Sequence, residues 1–318
     1  MQWLVSSFDN RKSKTCPELC RRIENPKWPG VLAILVLLLG CVAVAQAQQA
    51  GKIFRIGFLD PSTASGLAVL VDAFRQELSK LGWIEGKNFT IEYRFAEGGN
   101  DRLPELAADL VRLKVDLIVV TSTVSALAAK SATTTIPIVM TSTVDPVGAG
   151  LVASLARPGG NITGFSSLNT ELNTKRLEIL KDAVPKLARV GLLWPAGSGV
   201  GVDLQLKELR PAALYLKLKL EEIKTQPDAK GLESAFQTAK QKQVGAIMTV
   251  VFRPFFAERK RIVELAVKYR LPAIYQEKEF VDEGGLMSYG ADFDDLYRKA
   301  AHYVVSDRKP HFFGKPAA

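Results

Sequence analysis

At 318 residues, 47% hydrophobic and 24% charged, the chain can bury one or two ordinary cores, which excludes a disordered or fibrous polymer. Its formal charge of +9 comes from Lys and Arg scattered along the sequence, with no basic stripe and no docking motif, so no nucleic acid is expected as a partner. All three cysteines, Cys16, Cys20 and Cys41, precede residue 50, and Cys16 and Cys20 have no nearby His or further Cys to complete a zinc site.

The first predicted element is a leader. Arg21, Arg22 and Lys27 precede an apolar run at 31–45, which ends in the small residues of Ala45-Gln46-Ala47. A basic segment, a short apolar core and an A-x-A site make a secretory signal, too short for the roughly 20 residues of a comfortable membrane-crossing helix. The expectation is a leader over 1–47 and a periplasmic mature chain. Leu38-Leu39-Gly40-Cys41 loosely matches a lipid-attachment box, which would anchor the protein through Cys41. Its bulky middle position and the apolar residues beyond it favour cleavage.

Beyond the leader, apolar periodicity switches repeatedly between two and 3.6 residues. Residues 52–59 (KIFRIGFL) read as a strand ending at Asp60-Pro61-Ser62, where turn residues suit a helix start. Leu67, Leu70, Val71, Phe74, Leu78 and Leu81 then fall at helical spacing and stop at Gly82. The alternation continues with strands at 89–95, 115–120 and 136–140 and helices at 103–113, 122–130 and 147–155. Asn161-Ile162-Thr163-Gly164 reads as a strand and turn rather than a glycosylation acceptor. The rhythm then restarts with helices at 172–184, 204–216, 229–242, 255–269 and 293–304. Strands are expected at 189–194, 217–223, 244–250, 272–275 and 285–289. Strands alternating with helices imply an α/β fold with mainly parallel sheets covered on both faces. Two halves of similar size, joined near residue 164, imply two lobes.

Ligands of open parallel sheets bind beyond the carboxyl ends of the strands. The residues there are Asp60 to Thr63, Thr121-Ser122-Thr123, Thr141 to Asp145, Trp194-Pro195, Phe252-Arg253, Tyr275-Gln276-Glu277 and Tyr289 to Asp292. Hydroxyls, carboxylates, aromatic rings and one Arg together suit a small polar ligand with an apolar part. The same Ser and Thr residues also serve as ordinary helix caps. Enzyme readings fare worse. The two histidines, His302 and His311, lie near the end of the chain, so a Ser-His-Asp or Cys-His system has no members. Gly197-Ser198-Gly199-Val200-Gly201 departs from the dinucleotide fingerprint and reads as a flexible turn. No cofactor and no metal is expected.

Several stretches carry a family resemblance: RIGFL, LGWIEGKNFTIEYRFAEG, DPVGAGLV, RPGGNITGFS, VPKLARVGLLW and GGLMSYG, spread over residues 53–304. In them the chain resembles the substrate-binding proteins of one ABC-transporter family, with the type I periplasmic-binding-protein fold and tryptophan- and other aromatic-amino-acid-binding members. The resemblance implies a first lobe of 53–164 plus 290–318 and a second of 165–289. It implies ligand capture between them by hinge closure, with ligand contacts at Ser62, Thr121, Thr123, Asp145, Trp194, Tyr275, Tyr289 and Asp292. It also implies a monomer that serves a membrane permease with separate ATPase subunits. An exported sensor module and an enzyme on the same architecture are the alternatives. Family members continue past the last helix, whereas residues 304–318 (VVSDRKPHFFGKPAA) are polar and patternless, which predicts a less stable fold than that of its relatives.

Overall fold

A computed structural model of the chain describes residues 53–197 and 199–306. The leader, its cysteines and A-x-A site, and the stretch after residue 306 with His311 lie outside the described residues. Ile53 onward forms one compact unit holding two parallel sheets, each flanked by helices.

The first sheet has the order β2-β1-β3-β4-β5: β1 (Phe54–Asp60), β2 (Phe89–Phe95), β3 (Leu117–Val120), β4 (Ile138–Thr143) and β5 (Ile162–Ser166), all pairs parallel. Its connections are α1 (Ala64–Lys80), α2 (Leu103–Arg112), preceded by a 3-10 turn (Asn100–Arg102), and α3 (Thr123–Ala132). Period-two alternation divides its side chains between two faces. Ile56, Phe58, Leu117, Val119 and Val139 join one core cluster, whereas Leu59, Ile118, Val120, Ile138 and Met140 join another. Parallel sheets need both faces covered, and these near-continuous apolar strands meet that demand.

The second sheet has the order β10-β9-β8-β6-β7: β6 (Arg189–Pro195), β7 (Lys219–Thr225), β8 (Ala246–Thr249), β9 (Ala273–Tyr275) and β10 (Met287–Ser288). It carries α4 (Asn169–Ala183), α5 (Val200–Tyr215), α6 (Ala229–Gln241), α7 (Arg253–Ala257), α8 (Arg259–Lys268) and α9 (Glu279–Asp282). The last helix, α10 (Phe293–Ser306), returns to the first sheet and packs on α1, β4 and β5. Phe293, Tyr297, Ala300, Ala301 and Val304 form its buried face, following the i, i+3 and i+4 spacing of one helical stripe.

Two expectations change. Residues 147–155 form turns rather than a helix. Gly148 and Gly150 weaken helix there, and Gly150 sits at φ +68, which a helix does not allow. The helix expected at 255–269 divides at Glu258, whose φ of −95 and ψ of 14 interrupt the helical path. The strand read from Ile162 runs to Ser166 as an edge strand of the first sheet.

Candidate functional site

The carboxyl ends of both sheets face one cavity. Pro61, Asn100, Thr121, Ser122, Thr123, Val124, Ser142 and Val144 line it from the first sheet's side, and Gly199, Gly201, Val202, Val251, Phe252 and Arg253 from the second's. About 440 Å³ lies between the walls, mouth included, but only ≈ 40 Å³ admits a water-sized body, so the lobes stand close together.

Buried hydroxyls organise the first wall. Asp60, at the end of β1, is fully buried. Its Oδ1 accepts from the Ser62 amide at 2.6 Å and the Ser62 hydroxyl at 2.6 Å, and its Oδ2 accepts from the Thr121 hydroxyl. Burial pushes the Asp60 carboxyl above the usual carboxylate range, and the hydrogen bonds from Ser62 and Thr121 pull the other way. The Thr123 hydroxyl donates to the Val144 carbonyl at 3.1 Å and accepts from its amide at 3.1 Å, tying the start of α3 to the end of β4. Ser122 caps α3 in a reciprocal box with Ser125. These hydroxyls shape the wall because their hydrogen bonds stay within it.

The second wall has a charged centre. Arg253 opens α7 with only 2% exposure. Its Nη2 donates to Glu277 Oε1 at 3.1 Å, and its guanidinium lies 4.6 Å from the Phe293 ring centroid and 5.2 Å from that of Phe256. Burial pushes Glu277 up to about 7, with Arg253 opposing. Behind them, Gln205 donates to the carbonyls of Gly201 and Val251 at 3.1 and 3.0 Å and accepts from the Val251 amide at 2.7 Å. One side chain thus holds the start of α5 against the loop after β8.

Of the residues carried over from the resemblance, Thr121 and Thr123 line the cavity. Ser62 lies behind the wall on Asp60. Asp145 caps the turn that follows it, accepting from the Gly148 amide at 2.8 Å, and Asp292 caps α10 through the Asp295 amide at 3.0 Å. Trp194 is buried in the core, and Tyr275 is buried and stacked on Phe280 with centroids 4.5 Å apart. Tyr275 borders a different groove, between α8 and β9. Tyr289 stands 40% exposed where the chain leaves the second sheet, its carbonyl accepting from Arg176 Nη1 at 2.9 Å. The cavity instead takes in Asn100, five residues past the end of β2, and Arg253.

Direct contacts join the lobes around the cavity. Gly66 of α1 meets Ala257 of α7, and a Cβ at Gly66 would come within 2.7 Å of the Ala257 Cα. Arg259 donates to the Gly66 carbonyl at 3.1 Å. The Gly199 to Gly201 turn lets the start of α5 approach α3: Cβ atoms there would stand 2.7 Å from Val124 Cγ1 and 2.9 Å from Thr123 Oγ1. This close approach, not a phosphate cradle, is what the glycines allow. The chain passes between the sheets at 167–168, where Leu168 adopts φ 49, and again at 289–292, where a Cβ at Gly290 would collide with the Gln276 carbonyl.

Among the described residues no group of three or more His, Cys, Asp or Glu is placed to hold a metal ion, and no helix is long and apolar enough to cross a membrane.

Comparison with known proteins gives three results. A family model described as ABC transporter substrate binding protein matches residues 56–307. A curated tyrosine-binding protein of Clostridioides difficile (strain R20291) is 31% identical over 239 residues, covering 73% of this chain and 66% of that relative, just under two thirds of its length. Two solved structures differ in how well they superpose. One, an ABC domain in complex with L-Trp from Streptococcus pneumoniae, matches with a TM-score of 0.70 at 25% identity, covering 84% of this chain and 87% of that one. The other is a ligand-free, open substrate binding protein with adhesive properties from Clostridium difficile. It matches with a TM-score of 0.52 at 26% identity, covering 80% and 85%.

Proposed function

Because this chain belongs to the ABC transporter substrate-binding protein family, we propose that it captures a small carboxylate with an aromatic or apolar body in the cavity between its lobes. The cavity itself carries this reading: it is walled by both sheets, with hydroxyls, valines, Phe252 and a buried arginine. Apolar walls with a few placed polar groups are what a small-molecule site requires. The printed ligands of the relatives, tyrosine and L-Trp, support the aromatic part.

In this proposal the first lobe comprises 53–166 with the last helix, since strand β5 runs to Ser166, and the second comprises 169–288. Ligand enters while the lobes are apart, and they close by rotation about 167–168 and 289–292. Binding shifts the equilibrium toward the closed form by the difference in affinity between the two forms. The mature chain acts in the periplasm as a monomer and hands its ligand to a permease driven by separate ATPase subunits. In this proposal it releases the ligand chemically unchanged.

Titration calorimetry with tyrosine, tryptophan and phenylalanine, followed by mass spectrometry of the released ligand, tests this function. Binding at one site with a micromolar Kd, about −8 kcal/mol, and release of unchanged ligand are expected. Conversion of the ligand would refute the binding role, and failure of all three to bind would refute the ligand class.

A further inference from the structure

Where the second lobe meets the last helix lies a group of charges outside the cavity. Glu279 opens α9 with 3% exposure, and neither oxygen of its carboxyl has a hydrogen-bond partner. The Lys278 ammonium stands 3.6 Å from its Oε1. That ammonium is closer to Asp294 Oδ2 of α10, at 3.1 Å, and lies 3.7 Å from Asp282 Oδ2. One lysine thus serves three carboxylates, and the other oxygen of Asp294 is also buried without a partner. The remaining charges are engaged nearby. Arg298 of α10 approaches Asp294 at 3.7 Å, Arg259 of α8 pairs with Glu283 at 3.2 Å, and Arg253 pairs with Glu277 at 3.1 Å. A buried carboxylate with no donor is costly, and the neutral acid avoids that cost.

Resting on the proposed closure of the lobes, we propose that Glu279 is a proton-linked latch: the lobes close with Glu279 protonated beside Asp294, so closure takes up a proton and acid favours the closed form.

Asp294 belongs to the helix that packs on the first sheet, whereas Lys278 and Glu279 belong to the second lobe. Parting the lobes takes the charge of Asp294 away from Glu279 and lets water reach the carboxyl. It also releases Lys278 from Asp294, leaving more of its charge for Glu279. Both changes favour the carboxylate, so the open form releases a proton that the closed form keeps. In the closed arrangement burial pushes the Glu279 carboxyl above the usual glutamate range. Asp294 adds to this, and its own amide, Lys278 and Arg253 oppose it. A ligand that draws the lobes together therefore draws in a proton, and its affinity falls as pH rises between the open and closed values. Glu277, another buried carboxyl, keeps Arg253 of its own lobe beside it in either form.

Calorimetry on the full chain with L-tryptophan, whose own groups do not titrate between pH 5 and pH 8, tests the latch. Repeating it at pH 6 in two buffers of different ionisation enthalpy counts the protons taken up per ligand bound. Wild-type protein should take up about 0.5 proton, with affinity falling about 3-fold per pH unit. Glu279→Gln should bind without uptake and with an affinity independent of pH, and Asp294→Asn should roughly halve the uptake. Small-angle scattering without ligand keeps the latch separate from the ligand class. The wild-type radius of gyration should fall from pH 8 to pH 5, and Glu279→Gln should keep the smaller radius at both. No uptake by wild-type protein that binds tryptophan, or the same uptake in Glu279→Gln, would overturn the inference. If no aromatic amino acid binds, the ligand class falls alone and scattering decides: a wild-type radius identical at both pH values would overturn the latch.

Discussion

At the scale of single residues, buried Glu277 ties stability to pH. Burial, the largest cause, pushes its carboxyl up to about 7; the charge of Glu279 adds to this, while Arg253 and Arg176 oppose it. The folded state thus keeps a proton that the unfolded chain releases near the ordinary glutamate value. Stability from this group is complete below the unfolded value and is lost as pH rises through the folded one, on the order of 3 kcal/mol in all. Thermal melting between pH 5 and pH 8 should show wild-type protein losing stability relative to Glu277→Gln as pH rises. Parallel curves would contradict the shift. The strand ends are legible in the sequence, but not which side chains turn toward the cavity. Thr121 and Thr123 do, whereas Trp194 and Tyr275 are still within their strands, where alternation directs an aromatic ring into the core. Asn100 follows β2 only after tight turns, so proximity to a strand end does not single it out.

At the scale of elements, the periodic segments are legible and the glycine-rich ones are not. Long apolar repeats such as Leu67 to Leu78 set helix and register together, so β1, α1 and β6 fall where the pattern places them. Residues 147–155 carry apolar residues at helical spacing, yet Gly148 and Gly150 make turns cheaper than helix. Edge strand β5 is short and partly exposed, so it lacks the continuous apolar signature of the inner strands. The start of α1 is where element and function meet. Gly66 packs against Ala257 of the opposite lobe, so Gly66→Ala puts a methyl group into a contact that the proposed opening of the lobes would release. Alanine also favours helix over glycine by about 1 kcal/mol, so the variant's melting temperature should hold or rise. Its affinity for ligand should nevertheless fall about 10-fold, the cost of overpacking a tight contact. Calorimetry and melting on the same sample separate these effects, and a fall in both would point to damage within the first lobe.

At the scale of the whole molecule, the two lobes meet through small residues and through a shared core. Gly66 with Ala257, and Gly199 and Gly201 with the start of α3, bring backbones close together. One apolar cluster runs from Ile56, Phe58 and Leu67 of the first lobe to Leu192, Ile247 and Phe256 of the second, and another stays within the first. In the proposed function, a ligand that bridges the two walls adds interactions available only in the closed form, and the apparent affinity is reduced by the fraction of molecules able to close. The proposed rotation runs through the two crossings, at Leu168 and at Gly290. Small-angle scattering of the mature chain should give a larger radius of gyration without ligand than with saturating aromatic amino acid, and the ligand-bound curve should match the arrangement described here. Gly66→Ala should need more ligand to reach the same compaction. A radius that stays constant while calorimetry reports binding would mean that the ligand enters lobes already closed, and would move the recognition step from the hinge to the cavity mouth.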